Sequence, residues 1–256
     1  MKKKLMLTAM LTFAAFAIYA QSAESIVSES RDRIKADTLS TRSKMVIHAK
    51  NGSTSERLID QYSKYGPNGS RAVIIFQQPA SVAGTRFLTM ENKGGDDRWI
   101  YLPSLGKVRR VAASEGSGSF MGTDFSYDDI SSASRAANLD THTLLREEQI
   151  DGSACYVIQS VPKDSSYQYS KMIQWITKDS KITVKIELYD KKNTLVKTAE
   201  MSGLKEVQGR LTASVTKMTT HAAGTSTTIT MEIIKYDDPI KEELFTTVFL
   251  ETGRLR

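Results

Sequence analysis

The sequence is most informative first in what it withholds. It has one cysteine, Cys155, so no internal disulfide is available, and within the strand-like run Ala154 to Ser160 this thiol reads as a small buried hydrophobe. Its only histidines, His48, His142 and His221, stand far apart without metal-ligand spacing, which nominates no metal site. Ser117 and Ser119 lack the glycines of a nucleophile elbow, and Gly106-Lys107 lacks the rest of a phosphate-binding loop, so no catalytic residue and no cofactor are expected. After residue 20 no apolar run approaches the ~18 residues of a membrane-spanning helix, which leaves only peripheral membrane contact. Charge of one sign is scarce too. The net charge is +6 over the whole chain, and Lys2, Lys3 and Lys4 supply half of it, too little an excess beyond them to argue for nucleic acid as a partner.

Those three lysines open a different feature. They precede the apolar stretch Leu5 to Ala17, too short to anchor the chain in a bilayer, and small residues follow at Ala20 and Ala23. This is the pattern of a cleavable export signal over residues 1–20, with Ala20 the favoured cleavage site. With no cysteine near that junction the mature protein is expected to carry no lipid anchor, to be soluble and to reside in the periplasm. Residues 21–256 exceed an average domain yet fit one large all-β domain.

Residues Ala23, Ile26, Val27, Ser30 and Ile34 recur at helical spacing and predict an amphipathic opening helix. From Thr41 onward alternation replaces that period. Strands are predicted at 43–50, 56–64, 71–78, 84–91 and 98–102, then at 141–150, 155–161, 170–177, 182–190, 195–204, 210–220 and 227–236. Turn signals separate them at Asn51-Gly52-Ser53, at Gly66-Pro67-Asn68-Gly69 and at 92–97. Ile182, Val184, Ile186 and Leu188 alternate with polar residues, as do Ile229, Met231 and Ile233, so each set is expected on one buried face. The remaining helical pieces, at Tyr127 to Ala137 and Ile240 to Phe245, are few. The fold class is therefore mainly β (α+β): a strongly curved antiparallel sheet forming an incomplete barrel, with a few helices capping its open side.

The segment of strongest character runs from Gly84-Thr85-Arg86-Phe87-Leu88 through Asp97-Arg98-Trp99-Ile100-Tyr101-Leu102-Pro103 and Arg109-Arg110-Val111 to Ser119-Phe120-Met121-Gly122-Thr123-Asp124-Phe125-Ser126-Tyr127-Asp128-Asp129-Ile130. In this run the chain resembles the outer-membrane lipoprotein-sorting proteins of the LolA-like superfamily, periplasmic carriers related in fold to the lipoprotein chaperone LolA and receptor LolB. The resemblance implies a half-barrel whose apolar cavity shelters the acyl chains of lipoproteins or other lipids. It implies lipid or acylated lipoprotein as cargo, and an inner-membrane transporter as a further partner.

Matched to that motif, Phe87, Leu88, Met90, Trp99 and Tyr101 fall on strands beside the cavity, and Phe120, Met121, Phe125 and Tyr127 on a glycine-hinged loop that acts as its lid. The other reading of Phe87, Trp99 and Tyr101 is ordinary core. Residues 115–119 are expected to be mobile, and the large apolar residues after them need something to dock on. Met90, Met121, Met172, Met201 and Met231 suit an adaptable cavity wall. Arg109 and Arg110 either pair with Asp124, Asp128 or Asp129 to fix the lid, meet lipid phosphate at the cavity mouth, or form a solvated cluster. The three aspartates do not have calcium-loop spacing. An envelope protein-binding module or adhesin, and a lipid hydrolase, are the alternatives to a carrier; a His hydrogen-bonded to a Ser inside the cavity would favour the last. The export reading has a direct check: the intact mass of protein recovered from the periplasm is expected to correspond to a chain beginning at Gln21.

Overall fold

The computed structural model describes residues 21–66, 69–92, 96–131 and 136–255. The expected export signal at 1–20 lies outside them, as do parts of the turns at 66–69 and 92–97 and of the helical piece at 127–137.

The chain opens with helix α1 (Ala23–Asp32), capped by Ser22, whose hydroxyl accepts from the Ser25 amide at 3.1 Å. Six strands follow: β1 (Thr38–His48), β2 (Thr54–Lys64), β3 (Arg71–Gln78), β4 (Arg86–Met90), β5 (Asp97–Leu102) and β6 (Lys107–Arg110). A long connection with helix α2 (Tyr127–Ser131) leads to β7 (Asp140–Ile150), β8 (Ser153–Pro162), β9 (Lys171–Thr177), β10 (Thr183–Tyr189), β11 (Leu195–Val207), β12 (Arg210–Thr220) and β13 (Thr225–Tyr236). A 3-10 turn (Glu242–Phe245) and helix α3 (Thr247–Thr252) end the chain.

All pairings are antiparallel, and the 13 strands form one sheet in the order β6-β5-β4-β3-β2-β1-β13-β12-β11-β10-β9-β8-β7. It is two meanders, β1–β6 and β7–β13, fused where β1 meets β13. The sheet is open and curved and does not close into a barrel. Its free edges, β6 and β7, stand at opposite ends, and residues 111–139 carry the chain from one to the other. The face beneath that crossover is here called the inner face.

Cross-strand register fixes which side chains share it. Ile100 is opposite Phe87, Phe87 opposite Ile74, Ile59 opposite Phe76, Ser43 opposite Ile59, and Met45 opposite Ile229. Beyond β13 the row continues through Ile229 opposite Thr216, Met218 opposite Ala199, Ala199 opposite Ile186 and Leu188 opposite Met172. Helix α1 covers the far end of this face, burying Ala23, Ile26 and Val27 on Ile158 and Ile176. The C-terminal 3-10 turn and α3 lie on the opposite, outer face. There Leu244, Phe245, Phe249 and Leu250 bury Val73 and Leu88, and the Arg86 guanidinium donates to the Leu250 carbonyl at 2.6 Å while stacking on Tyr101.

Two predicted alternations break at β-bulges, each of which inserts an unpaired residue and reverses which face follows. The β9–β10 register slips between Thr183 and Lys185. Val184 consequently packs with Cys155, Val157 and Trp175, apart from Ile186 and Leu188. The β1–β13 register slips at Arg42–Ser43, so Met231 faces inward whereas Ile233 lies on the outer face, 48% exposed. Strand β6 was not among the predicted strands because Lys107 to Arg110 offers one apolar residue in four, and α3 extends beyond the predicted C-terminal helical piece.

The docking of the C-terminus is testable by urea denaturation. Phe245→Ala is expected to cost ~3–5 kcal/mol, the usual range for emptying a fully buried phenylalanine site. Val248→Ala, at a residue 49% exposed on the adjoining helix α3, is expected to stay within ~0.5 kcal/mol of wild type.

Candidate functional site

The inner face is unusually apolar and soft. Met45, Met121, Met172, Met201, Met218 and Met231, every methionine after residue 20 except Met90, lie on it or pack against it. Met45 and Met218 join the methionines named from sequence; Met90 is on the outer face with Trp99. Unbranched thioethers adapt their shape to a neighbour at low cost.

The crossover fills this face as a strap. Its segment Phe120 to Phe125 is a tight loop: the Phe120 amide donates to the Phe125 carbonyl at 2.8 Å, and the Thr123 hydroxyl donates to the Phe120 carbonyl at 2.7 Å. Met121 takes φ 52° and Gly122 φ 74° at its tip, the left-handed conformation that glycine adopts without strain. Phe120 and Tyr127 enter the β1–β6 half, where Phe120 lies 5.1 Å from Phe87 and 5.8 Å from Phe76, ring centre to ring centre. Phe125 enters the other half, against Tyr169, Met172, Leu188 and Ala199. Ile130 touches both clusters. One strap therefore seals both meanders.

Polar contacts hold it at three places. The Asp124 carboxylate accepts from the hydroxyl of Thr227 at 2.6 Å and from that of Thr225 at 2.5 Å, both on β13. Asp128 pairs with Arg98 of β5 at 2.5 Å. Asp129 pairs with Lys197 of β11 at 2.8 Å and accepts from the Tyr169 hydroxyl at 2.8 Å. Burial and the adjacent Asp129 carboxylate push the Tyr169 pKa far above its ordinary value, so this hydroxyl is a permanent donor. Ser126 and Asp129 exchange side-chain-to-amide bonds of 3.0 and 2.8 Å, a reciprocal cap on α2.

The predicted partners of these aspartates differ from the observed ones. Arg109 pairs with Glu115 at 3.0 Å and Arg110 with Asp97; both arginines sit on β6 beside carboxylates nearer in the chain. The glycine-rich stretch expected to be mobile is a bonded turn, in which the amides of Asp128 and Tyr127 donate to the carbonyls of Gly116 and Gly118. A Cβ on Gly116 would collide with the Asp128 carboxylate, so the glycine serves close approach. Of the residues expected beside one cavity, Phe87, Phe120, Met121, Phe125 and Tyr127 meet on the inner side. Leu88, Met90, Trp99 and Tyr101 lie on the outer face under the C-terminal segment, because alternate strand residues point to opposite faces.

Under the strap an apolar cleft of about 90 Å³ remains between Met45, Ile59, Ile74, Phe120, Ile229 and Met231, well below the ~300–1,000 Å³ of a drug-sized ligand site. A larger cleft of about 350 Å³ opens to solvent at the start of β2, beside Lys44, Glu56 and Pro79.

Sequence reading missed one buried polar cluster. His142 Nδ1 lies 2.7 Å from Ser160 Oγ, His142 Nε2 lies 2.9 Å from the Ala137 carbonyl, and Gln174 donates to Ser160 Oγ at 2.7 Å. A His–Ser pair is the arrangement that would favour a hydrolase. Ser160 has no exposed surface, however, and His142 is 6% exposed; neither cleft is lined by this pair, so its geometry ties β7 to β8 and to the end of the crossover. Cys155 is buried as expected, and burial raises its thiol pKa. No group of metal-ligating side chains occurs among the described residues, and no helix among them is long and apolar enough to cross a membrane.

A family model whose description reads "uncharacterized protein" matches residues 68–252. No curated protein matches. Among solved structures, a DUF1329 family protein from Desulfovibrio piger is 28% identical, with a TM-score of 0.85 over 89% of this chain and 97% of its own. A domain described as an outer-membrane lipoprotein-sorting protein domain, from Vibrio parahaemolyticus, is also 28% identical, with a TM-score of 0.84 over 90% of this chain and 98% of its own. A LolA superfamily protein from Nitrosomonas europaea, 22% identical, shares the fold with a TM-score of 0.72 over 89% of this chain and 98% of its own.

The strap's anchors make unequal predictions. Asp129→Ala strands the mostly buried Lys197 and is expected to cost ~3–5 kcal/mol, as breaking a buried ion pair does. Arg109→Ala removes a half-exposed pair and is expected to cost ~0–1 kcal/mol; equilibrium unfolding of the two variants checks both. By the model that matches residues 68–252 the chain belongs to that uncharacterized-protein family, and it shares its open thirteen-stranded fold with the DUF1329 family protein, the lipoprotein-sorting protein domain and the LolA superfamily protein.

Proposed function

We propose that the protein is a non-enzymatic carrier of the periplasm, which lays the acyl chains of a lipoprotein or another lipid on its inner face and moves them toward the outer membrane. The observation that carries this reading is the strap: Phe120, Phe125 and Tyr127 occupy a continuous methionine-rich apolar surface, yet belong to a crossover tied to the sheet by a few polar contacts. Similarity to a lipoprotein-sorting protein domain over 90% of this chain supports the same reading.

The magnitudes favour exchange. An acyl chain of ~16 methylenes gains about 13 kcal/mol on leaving water, at ~0.8 kcal/mol each. Uncovering three aromatic side chains costs about 5–9 kcal/mol, at ~1.5–3 each. The apolar contributions alone thus favour the guest, before the cost of releasing the strap's ion pairs is counted. Direction requires donor and acceptor, for instance an inner-membrane transporter and the outer membrane, to bias the open and closed strap unequally, since equal affinity for both states shifts nothing.

The test is mass spectrometry of organic extracts from protein purified without detergent. Wild type is expected to contain near-stoichiometric lipid or acylated peptide. Met231→Glu, at the cleft wall, is expected to lose it, whereas Ile233→Glu, two residues away on the opposite face, is expected to keep it. A wild-type protein that is empty and takes up no added lipid would instead favour a protein-binding module.

A further inference from the structure

One inner-face cation makes no ion pair among the described residues. Arg57 on β2 is opposite Met45 and so shares its face, with its guanidinium 5.7 Å from the centre of the Phe76 ring. Its Nη1 is closed off from solvent and has no hydrogen-bond partner among the described residues. The cations that meet the strap differ, since Arg98 faces Asp128 and Lys197 faces Asp129. Burial lowers the Arg57 pKa, but a guanidinium stays charged at any pH a protein meets. A buried, charged donor left without an acceptor destabilises the fold, and native chains keep few of them.

The surroundings offer an acceptor a way in. Strand β3 stops pairing with β2 at Gln78, opposite Leu58, and the chain turns away at Pro79. The space beside Glu56 and Arg57 is the 350 Å³ cleft, large enough for a ligand's head. Within it Lys44 and Glu56 neutralise each other at 2.8 Å, and Glu232 interacts electrostatically with Arg42. Met45, opposite Arg57 on β1, is a wall of the apolar cleft under the strap. Arg57 thus lines the wet cleft, and its cross-strand partner Met45 lines the greasy one.

We propose that Arg57 holds the anionic oxygen head, a carboxylate or a phosphate monoester, of an acyl chain laid on the inner face. The proposal rests on the carrier reading and narrows it. The acylated end of a lipoprotein presents neutral esters and amides, so the cargo that Arg57 selects is a free anionic lipid. The planar guanidinium, steadied by the Phe76 ring, suits two parallel charge-assisted hydrogen bonds to such a head.

Delipidated wild type, Arg57→Gln and Arg57→Met are titrated with palmitate, hexadecyl phosphate and methyl palmitate, and the melting temperature of each unliganded protein is measured. Wild type is expected to bind at least one anionic probe roughly tenfold or more tighter than the neutral ester. Both variants are expected to lose that preference, to bind methyl palmitate as wild type does, and to melt no lower than wild type. Preference for palmitate alone assigns a carboxylate head, and preference for hexadecyl phosphate alone a phosphate. Equal wild-type affinity for all three probes, or a preference that survives in both variants, overturns the proposal and leaves the carrier reading standing. Failure to bind any probe overturns both. A lower melting temperature in both variants would assign Arg57 to the fold instead.

Discussion

The pairing of β1 with β13 joins two antiparallel meanders and leaves their free edges, β6 and β7, at opposite ends of the sheet. Between Arg110 and Asp140 the chain has to travel from one edge to the other, and its path lies over the apolar inner face. That single topological constraint places Phe120, Phe125 and Tyr127 where they lie. It explains why three consecutive acidic anchors, Asp124, Asp128 and Asp129, contact three different strands or their flanks. It also means that the inner face is covered by a connection and not by a second sheet.

The two faces are finished differently. On the outer face the C-terminal residues bury Val73 and Leu88 through Phe245, Phe249 and Leu250, and the polar contacts that accompany them, Glu242 with Lys64 and Arg71 and Arg86 with the Leu250 carbonyl, lie at the more exposed rim. On the inner face the strap's apolar groups are accompanied by carboxylates that meet Arg98, Lys197 and two threonines. Apolar burial is non-directional, whereas ion pairs fix one register and add less net stability once desolvation is counted. The proposed opening and reseating of the strap needs that balance. Arg57 is the inverse case, a charge on the same face whose buried Nη1 has no hydrogen-bond partner among the described residues.

Much of this was legible in the sequence. Alternation located twelve of the strands because each half-buried strand repeats with period two, and the aromatic central segment stood out because large apolar residues follow a glycine-rich turn. Face assignment was harder. Matching the motif groups Leu88, Met90, Trp99 and Tyr101 with Phe87, although neighbours on a strand point apart, and only the C-terminal segment reveals what covers them. The bulges at Val184 and Glu232 escaped because apolar residues continue across them at the same spacing. Partner choice in the strap escaped for a similar reason: Asp128 and Asp129 are adjacent in sequence, yet face Arg98 and Lys197 on opposite halves of the sheet.

The central claim is that the crossover is the movable cover of a lipid site, while the rest of the fold is its frame. Hydrogen–deuterium exchange of the lipid-free and lipid-loaded protein tests it most directly, because each segment reports its own opening. The account predicts that residues 113–131 change protection on loading, and that the outer-face segment 242–252 and the β1–β13 seam do not. Identical exchange across 113–131 in a protein shown to hold lipid would contradict it, and would place the lipid elsewhere than beneath the strap.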